Sequence, residues 1–442
     1  MTTKGNIKPT AENHRLKLSK CQQLAYDRLV QFTTSSHQFF RLSGAAGTGK
    51  SYLIVEFIRY LQQQKIKYVV AAPTNKAAQN IQQIANANQI VIEAITVAKL
   101  LGQLPEIDRD TGKEDFIANE DLCKLSEFDI ALIDEYSMIS ADNFAAIVAQ
   151  TIRKTKIVFV GDLAQLPPVN EKVPVVAQSP LIKVSVELQE IVRYDGEIAR
   201  VAATIRTNSL YARCVYPFST TEDLTVVKAK NREQWLHKIA DLIADSRWQK
   251  DSNFCRAIAY RNETVNAIND SVRQRWHGSN CAPFLVGDLL IAKSPCFRQK
   301  MSKVTGKKEW VTVVQNSEEM RVSGEFEIET IKTKGTEFTY YSVPVSTESG
   351  FSISLKILTA TSQILWLELL NKFAESKRYI DRMDLFKSFD VCPFGYALTC
   401  HKAQGSSIDY VFIDVRDMSL CHERQPMFYT ALTRAKKRAV VY

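Results

Sequence analysis

Short continuous apolar runs alternate with stretches of helical spacing over roughly the first 185 residues. Tyr68-Val-Val-Ala-Ala72, Ile130-Ala-Leu-Ile133 and Ile157-Val-Phe-Val160 are apolar throughout, and His37–Leu42 is compatible with a further strand. Runs of that length without alternation suit strands covered on both faces, as in a parallel α/β sheet, and Tyr52–Leu61 has the spacing of a covering helix. A second α/β pattern occupies about 186–295, with Ala257–Tyr260 as a strand and Asn262–Trp276 as a helix, and resumes at Val411–Asp414. The texture between differs. Trp310-Val-Thr-Val-Val314 and Glu325-Phe-Glu-Ile-Glu-Thr330 alternate apolar and polar residues between turn signals, as small antiparallel strands do, and Gln363–Phe389 then takes helical spacing. The expected organisation is a first α/β domain over 1–101 and 122–185 with an insertion at 102–121. A second covers 186–295 and 391–442, with a β-rich insertion at 296–390. There is no internal repeat or low-complexity tract.

Composition narrows this little. With 442 residues, 45% hydrophobic and 24% charged, the chain reads as a globular protein of more than one domain. The formal charge of +9 hints at an anionic partner. The nine cysteines include no C-x-x-C pair, so neither a zinc site nor a disulfide framework is expected. No apolar run approaches membrane-spanning length and Met1–Lys20 lacks a signal-peptide core, so the expected setting is the cytoplasm, with no membrane partner.

The chemistry starts at Gly44-Ala45-Ala46-Gly47-Thr48-Gly49-Lys50-Ser51, the G-x-x-x-x-G-K-[ST] phosphate-binding loop. Its backbone N–H groups would face a triphosphate, helped by the positive end of the following helix. Lys50 would reach the β- and γ-phosphates and Ser51 would bind Mg²⁺, so ATP and Mg²⁺ are the expected cofactors. The strand Ile130–Ile133 ends in Asp134-Glu135, where Asp134 would hold the metal and Glu135 would accept a proton from the attacking water. Gln165, just after the strand ending at Val160, lies where a γ-phosphate is sensed.

With these stand APTNKAA (72–78), LIDEYSM (132–138), GDLAQLPPV (161–169), HKAQGSS (401–407) and YTALTRAKK (429–437). In this order and at these spacings the set resembles superfamily 1 helicases, most nearly the RecD-like and phage Dda-like group, over residues ~18 to 437. The resemblance implies two tandem RecA-like parallel-sheet domains and 5′-to-3′ movement on single-stranded DNA. It implies that Gln22 reads the adenine edge, that Arg193 and Arg434 approach the γ-phosphate from the second domain, and that Gly405 lies in the nucleotide cleft. For nucleic acid it implies Pro73, Thr74, Asn75 and Lys76, then Thr96, and on the second domain Tyr260, Asn262, Thr399, His401, Lys402 and Gln404. Plainer readings stand beside some of these: Lys76 as a solvated helix lysine, His401 as an orienting group, Tyr260 as core.

The insertion at 102–121 is plausible as a β-hairpin turning at Asp110–Gly112, where the family carries a duplex-splitting pin. Phe116 either stacks on a base there or packs the hairpin onto its own domain. The insertion at 296–390 matches the family's small β-barrel plus helices by position and texture. Two departures, Ala98 in place of a histidine and Glu263 in place of a lysine, fall on the nucleic-acid side and leave the ATP chemistry untouched. The expected protein is a monomeric ATP-dependent DNA helicase acting on single strands and single–double-strand junctions, in a bacterial or phage-infected cell and associated with the nucleoid. The alternatives are a translocase or RNA helicase without efficient duplex unwinding, and a non-catalytic clamp that uses ATP only as a ligand.

Overall fold

The computed structural model describes residues 18–107, 114–118, 122–151, 155–168, 171–190, 197–207, 225–301, 306–347 and 350–442. In chain order the strands begin with β1 (Phe39–Gly44), β2 (Tyr68–Ala72) and β3 (Ala94–Thr96). The pair β4 (Gln103–Ile107) and β5 (Glu114–Ala118) follows, then β6 (Ile130–Ile133), β7 (Lys156–Gly161) and β8 (Val184–Leu188). Apart from β4 and β5 these form one sheet, ordered β3-β2-β6-β7-β1-β8, with every pairing parallel. The expected apolar runs are its strands, and β6 is buried at all four positions. The order brings the C-terminal ends of β6, β7 and β1 side by side, and ligands of open parallel sheets collect at such ends.

The second sheet holds β9 (Val226–Lys228) and β10 (Cys255–Ala259). The chain then makes seven strands of an insertion: β11 (Leu289–Ile291), β12 (Cys296–Met301), β13 (Lys308–Val314), β14 (Glu319–Val322), β15 (Glu327–Thr333), β16 (Thr336–Thr347) and β17 (Ser352–Leu358). Helices Ala360–Glu375 and Tyr379–Lys387 follow, before β18 (Ala397–Thr399), β19 (Ile408–Ile413) and β20 (Ala435–Val441) return to the sheet, ordered β18-β10-β19-β20-β9 and again parallel. Two fully buried tryptophans anchor this domain. Trp235 donates to the Val440 carbonyl and Trp248 to that of Cys255, each at 3.1 Å, so neither indole N–H is left unpaired. No helix among the described residues is long and apolar enough to cross a membrane.

Two expected boundaries shift. β8 pairs with β1, so the first domain runs through Leu188 and not to 185. β11 pairs with β14, so the second insertion's sheet starts at Leu289 and not at 296. Leu289-Leu-Ile-Ala292 is buried throughout and shows no alternation, so its pattern matched the domain before it. In the first insertion β4 and β5 pair antiparallel from Gln103↔Ala118 to Ile107↔Glu114. The expected turn at Asp110–Gly112 lies outside the described residues.

A buried ion network ties the two domains and the second insertion together. Glu319 on β14 accepts from the Ser252 hydroxyl at 2.7 Å, pairs with the guanidinium of fully buried Arg256, and meets Lys76 of the first domain at 3.5 Å. Burial alone would raise its pKa, but Arg256 and Lys76 outweigh that and hold it down at about 2. The depressed value means that stability is fully present above the unfolded glutamate pKa and is lost as pH falls through the folded one. A shift from 4.5 to about 2 is worth ~3 kcal/mol. Acid-unfolding curves of the wild type should therefore lose ~3 kcal/mol between about pH 4.5 and 2, whereas Glu319→Gln should lack that dependence and be less stable at neutral pH by about 3 kcal/mol, because Arg256 is left unpaired.

Candidate active site

The phosphate-binding loop leaves β1 and enters the helix Lys50–Gln63 through Gly49, whose φ of +79° is left-handed. A side chain there would also collide with the Gln22 amide. Lys50 Nζ donates to the loop carbonyls of Gly44 at 2.7 Å and Ala45 at 3.0 Å, and Thr48 Oγ1 donates to Ala45 at 2.9 Å. The lysine thus rests on the loop that must present it to phosphate. Gln22, expected to read adenine, is 5% exposed and braces the loop from beneath: its amide donates to the Thr48 carbonyl and accepts from the Ser19 N–H, both at 3.0 Å. One N–H and one lone pair remain for a base edge.

Asp134 and Glu135 follow β6 at a strained turn, with Glu135 at φ +53°. Burial, and then the Glu135 charge, push the Asp134 carboxyl up to about 7, with Lys50 pulling the other way. Gln165 is 3% exposed, and its amide oxygen has no partner among the described residues. From the second domain comes Arg434, 5% exposed, its guanidinium donating to the Thr430 carbonyl at 3.1 Å, the Thr433 hydroxyl at 3.2 Å and the Ser406 carbonyl at 3.4 Å. Gln22, Ala46, Gly47, Gly49, Lys50, Ser51, Asp134, Glu135, Gln165, Gly405 and Arg434 all line one cavity of about 430 Å³. Arg193 lies outside the described residues.

This donor set fits a nucleoside triphosphate with a divalent cation. An ammonium and a guanidinium converge from two domains, a buried amide oxygen stands unpartnered, and Ser51 and Asp134 supply a hydroxyl and a carboxylate.

The strongest link across the cleft runs through a residue not singled out from sequence. Asp162, fully buried after β7, accepts from the Tyr429 hydroxyl at 2.6 Å and from the Ala46 N–H at 3.1 Å on one oxygen. Its other oxygen accepts from the Ala164 N–H at 3.1 Å and faces Arg206 at 3.5 Å. Burial, and then Asp162, push the Tyr429 phenol well above its ordinary range. Two bonds run parallel to this link: Leu166 N–H to Thr430 Oγ1 and Gln404 Nε2 to the Leu166 carbonyl, each 3.0 Å. Gln404 was expected on nucleic acid; the structure buries it at 2% exposure as a bridge between domains. The signal available for Asp162 was its place inside GDLAQL, beside the glutamine.

The expected nucleic-acid residues sit at strand ends of both sheets. Thr74 follows β2, while Thr96 and Thr399 end β3 and β18, and each caps the next helix by accepting an N–H, from Ala77 at 3.2 Å, Lys99 at 3.1 Å and Lys402 at 3.3 Å. A hydroxyl that accepts in a cap keeps its own proton to donate, which suits a phosphate oxygen. Asn75 and Lys76 open the helix after Thr74, with Pro73 before it, but Lys76 is engaged by Glu319. Gly405, at φ +75°, lets the loop after Thr399 approach Ala77, whose Cβ would lie 3.0 Å from any added side-chain carbon. Asn262 is exposed at the start of its helix, Tyr260 packs on the second domain's core, and half-buried His401 has its pKa lowered by burial against the pull of Glu423. The Phe116 side chain lies outside the described residues.

Two parallel sheets sharing a phosphate-loop cavity define a nucleotide-driven two-domain motor. Residues 17–216 match the AAA domain model and 394–442 match the UvrD-like helicase C-terminal domain model. These two matches and the relatives below support a superfamily 1 helicase of the Pif1/RecD-like type. It is 22% identical to the ATP-dependent DNA helicase dda of Enterobacteria phage T4 over 95% of this chain and 98% of that one. It is 23% identical to the RecBCD enzyme subunit RecD of Buchnera aphidicola over 94% and 72% respectively. A structure of Bacteroides Pif1 bound to ssDNA shares the fold, with a TM-score of 0.50 and 18% identity over 96% of this chain and 92% of that one.

Tyr429→Phe should test the link across the cleft. Removing the hydroxyl leaves Asp162 with fewer donors in a buried site, so melting should report a loss of about 1–3 kcal/mol. Nucleotide affinity, followed with a fluorescent analogue, should weaken because Asp162 also holds the loop at Ala46.

Proposed function

We propose that this protein is an ATP-driven DNA helicase that moves 5′ to 3′ on a single strand and separates duplex at a junction, working as a monomer. The observation that carries the reading is the single cavity to which the first domain contributes Lys50, Asp134, Glu135 and Gln165 and the second contributes Arg434. Hydrolysis there alters the forces between the sheets, and the threonines at the strand ends of each sheet supply the two grips that such motion needs.

Glu135 takes the proton of the attacking water, the step for which a carboxylate beside the phosphates is suited. Lys50 leaves the loop carbonyls for phosphate oxygens. Arg434, permanently charged, meets the charge gathering on the transferred phosphoryl group. Ser51 and Asp134 would hold Mg²⁺, which would neutralise phosphate charge. Gln165 offers its free amide oxygen to the attacking water. As phosphate leaves, the attraction that drew Lys50 and Arg434 toward one ligand weakens and the domains part.

Forked duplexes with only a 5′ or only a 3′ tail test this directly. With ATP and Mg²⁺ the 5′-tailed duplex alone should be unwound, and Lys50→Ala should abolish the activity. Unwinding from the 3′ tail alone would reject the assigned direction, and hydrolysis stimulated by DNA without strand separation would reject unwinding. Glu135→Gln should retain nucleotide binding while turnover falls by about 10²–10⁴-fold, the range for loss of a general base.

A further inference from the structure

Two thiols meet where the second insertion joins its domain. The chain enters the insertion along 289–293 and leaves it along 391–395, and these limbs run antiparallel. The Ile291 N–H donates to the Pro393 carbonyl at 2.9 Å, Lys293 to Val391 at 2.8 Å and Gly395 to Leu289 at 2.8 Å. Cys392 stands on the outgoing limb, and Cys296 opens β12 just after the incoming one. Their sulfurs lie 3.8 Å apart. Two residues further from each, Arg298 holds Asp390 at 2.7 and 3.1 Å, so backbone and charge both tie the segments that carry the thiols. Bonded sulfurs sit about 2 Å apart, so joining these two takes a movement of under about 2 Å.

A buried cysteine is often no more than a small apolar side chain. Cys296, 1% exposed in a core with Ala292, Val314 and Leu355, fits that role. Cys392 differs. It belongs to the same core, yet at 6% exposure it also lines a groove of about 370 Å³ between the helix Asn262–His277 and the helix Ala360–Glu375, where a small solute can meet it. The contact with Cys392, and then burial, push the Cys296 thiol well above its ordinary range, so it stays protonated. The roles therefore divide: Cys392 meets an oxidant, and Cys296 stands behind it as the resolving thiol. We propose that the pair is a reversible oxidation site at which a hydroperoxide turns two thiols into a disulfide across the neck of the insertion. With hydrogen peroxide, the Cys392 sulfur takes one oxygen as the O–O bond breaks. The thiol proton leaves with the other oxygen as water, and a sulfenic acid remains. The Cys296 sulfur then displaces that hydroxyl, which departs as water with the Cys296 proton. The sulfurs are oxidised, the peroxide is reduced, and a dithiol reverses the bond by exchange. The bond closes a ring around β12 to β17 and both insertion helices, which restricts the unfolded insertion. This goes beyond the helicase reading and does not depend on it.

The full chain, treated with hydrogen peroxide, denatured and alkylated, tests this by peptide mass spectrometry. Of the nine thiols two should be lost, and a peptide pair joining Cys296 to Cys392 should appear, lighter than its separate halves by two hydrogens and split by dithiothreitol. The oxidised protein should melt higher than the reduced one, and dithiothreitol should restore the lower value. Cys296→Ala deprives Cys392 of its partner, so Cys392 should stop at a sulfenic acid that dimedone traps. Cys392→Ala should leave Cys296 unmodified. Retention of all nine thiols, or disulfides joining only other cysteines, would overturn the site. Dimedone trapping of Cys392 in the wild type without the bond would overturn the pairing. A linked protein that melts no higher would overturn its hold on the insertion. The wild-type readout needs no substitution, so it decides the matter even where a variant fails to fold.

Discussion

Asp162 is the constraint around which the two domains are organised. A carboxylate with no exposure must be satisfied entirely by protein groups, because leaving it short of donors in a low-dielectric site is costly. It takes them from the phosphate loop at Ala46, from its own turn at Ala164, from Arg206, and from Tyr429 of the second domain. The loop that holds phosphate and the helix that presents Arg434 therefore share one acceptor. A change in either is felt by the other through hydrogen bonds of fixed geometry.

The same interface is also held by a different chemistry. There Lys76, Glu319 and Arg256 form a buried ion network that joins the first domain to the insertion. Lys76 is also a residue through which the first domain would grip a strand, so its ammonium has two possible partners, a carboxylate of the protein and a phosphate. Gly405 packs beside Ala77 close by, so the loop after β18 lies against the helix that follows β2. The loop Gly405–Ser407 lines both the nucleotide cleft and the cavity that holds Lys76 and Glu319, so the two lie side by side along one interface.

Legibility followed the range of the interactions. The apolar runs of β2 and β6 show as strands at the same residues, because a strand buried on both faces must be apolar at every position. The phosphate loop and the Asp134-Glu135 turn were equally plain, since each packs its chemistry into a few consecutive residues. The expected boundaries cut through β8 and left β11 with the domain before it, because which sheet a short strand joins depends on a partner more than a hundred residues or several strands away. Gln404 looked like a strand-binding amide, and only its contact with Leu166 shows it spanning the domains.

The sequence by itself determined the two α/β patterns and marked the glycine-rich loop, the acidic pair and the arginine that line one cavity, because backbone period and local phosphate chemistry are written in short segments. The tertiary structure decided how Asp162 and Tyr429 meet and how Glu319 engages Lys76. These pairs are brought together by chain folding across more than a hundred residues each, and burial, which no local pattern encodes, sets whether each charge is satisfied.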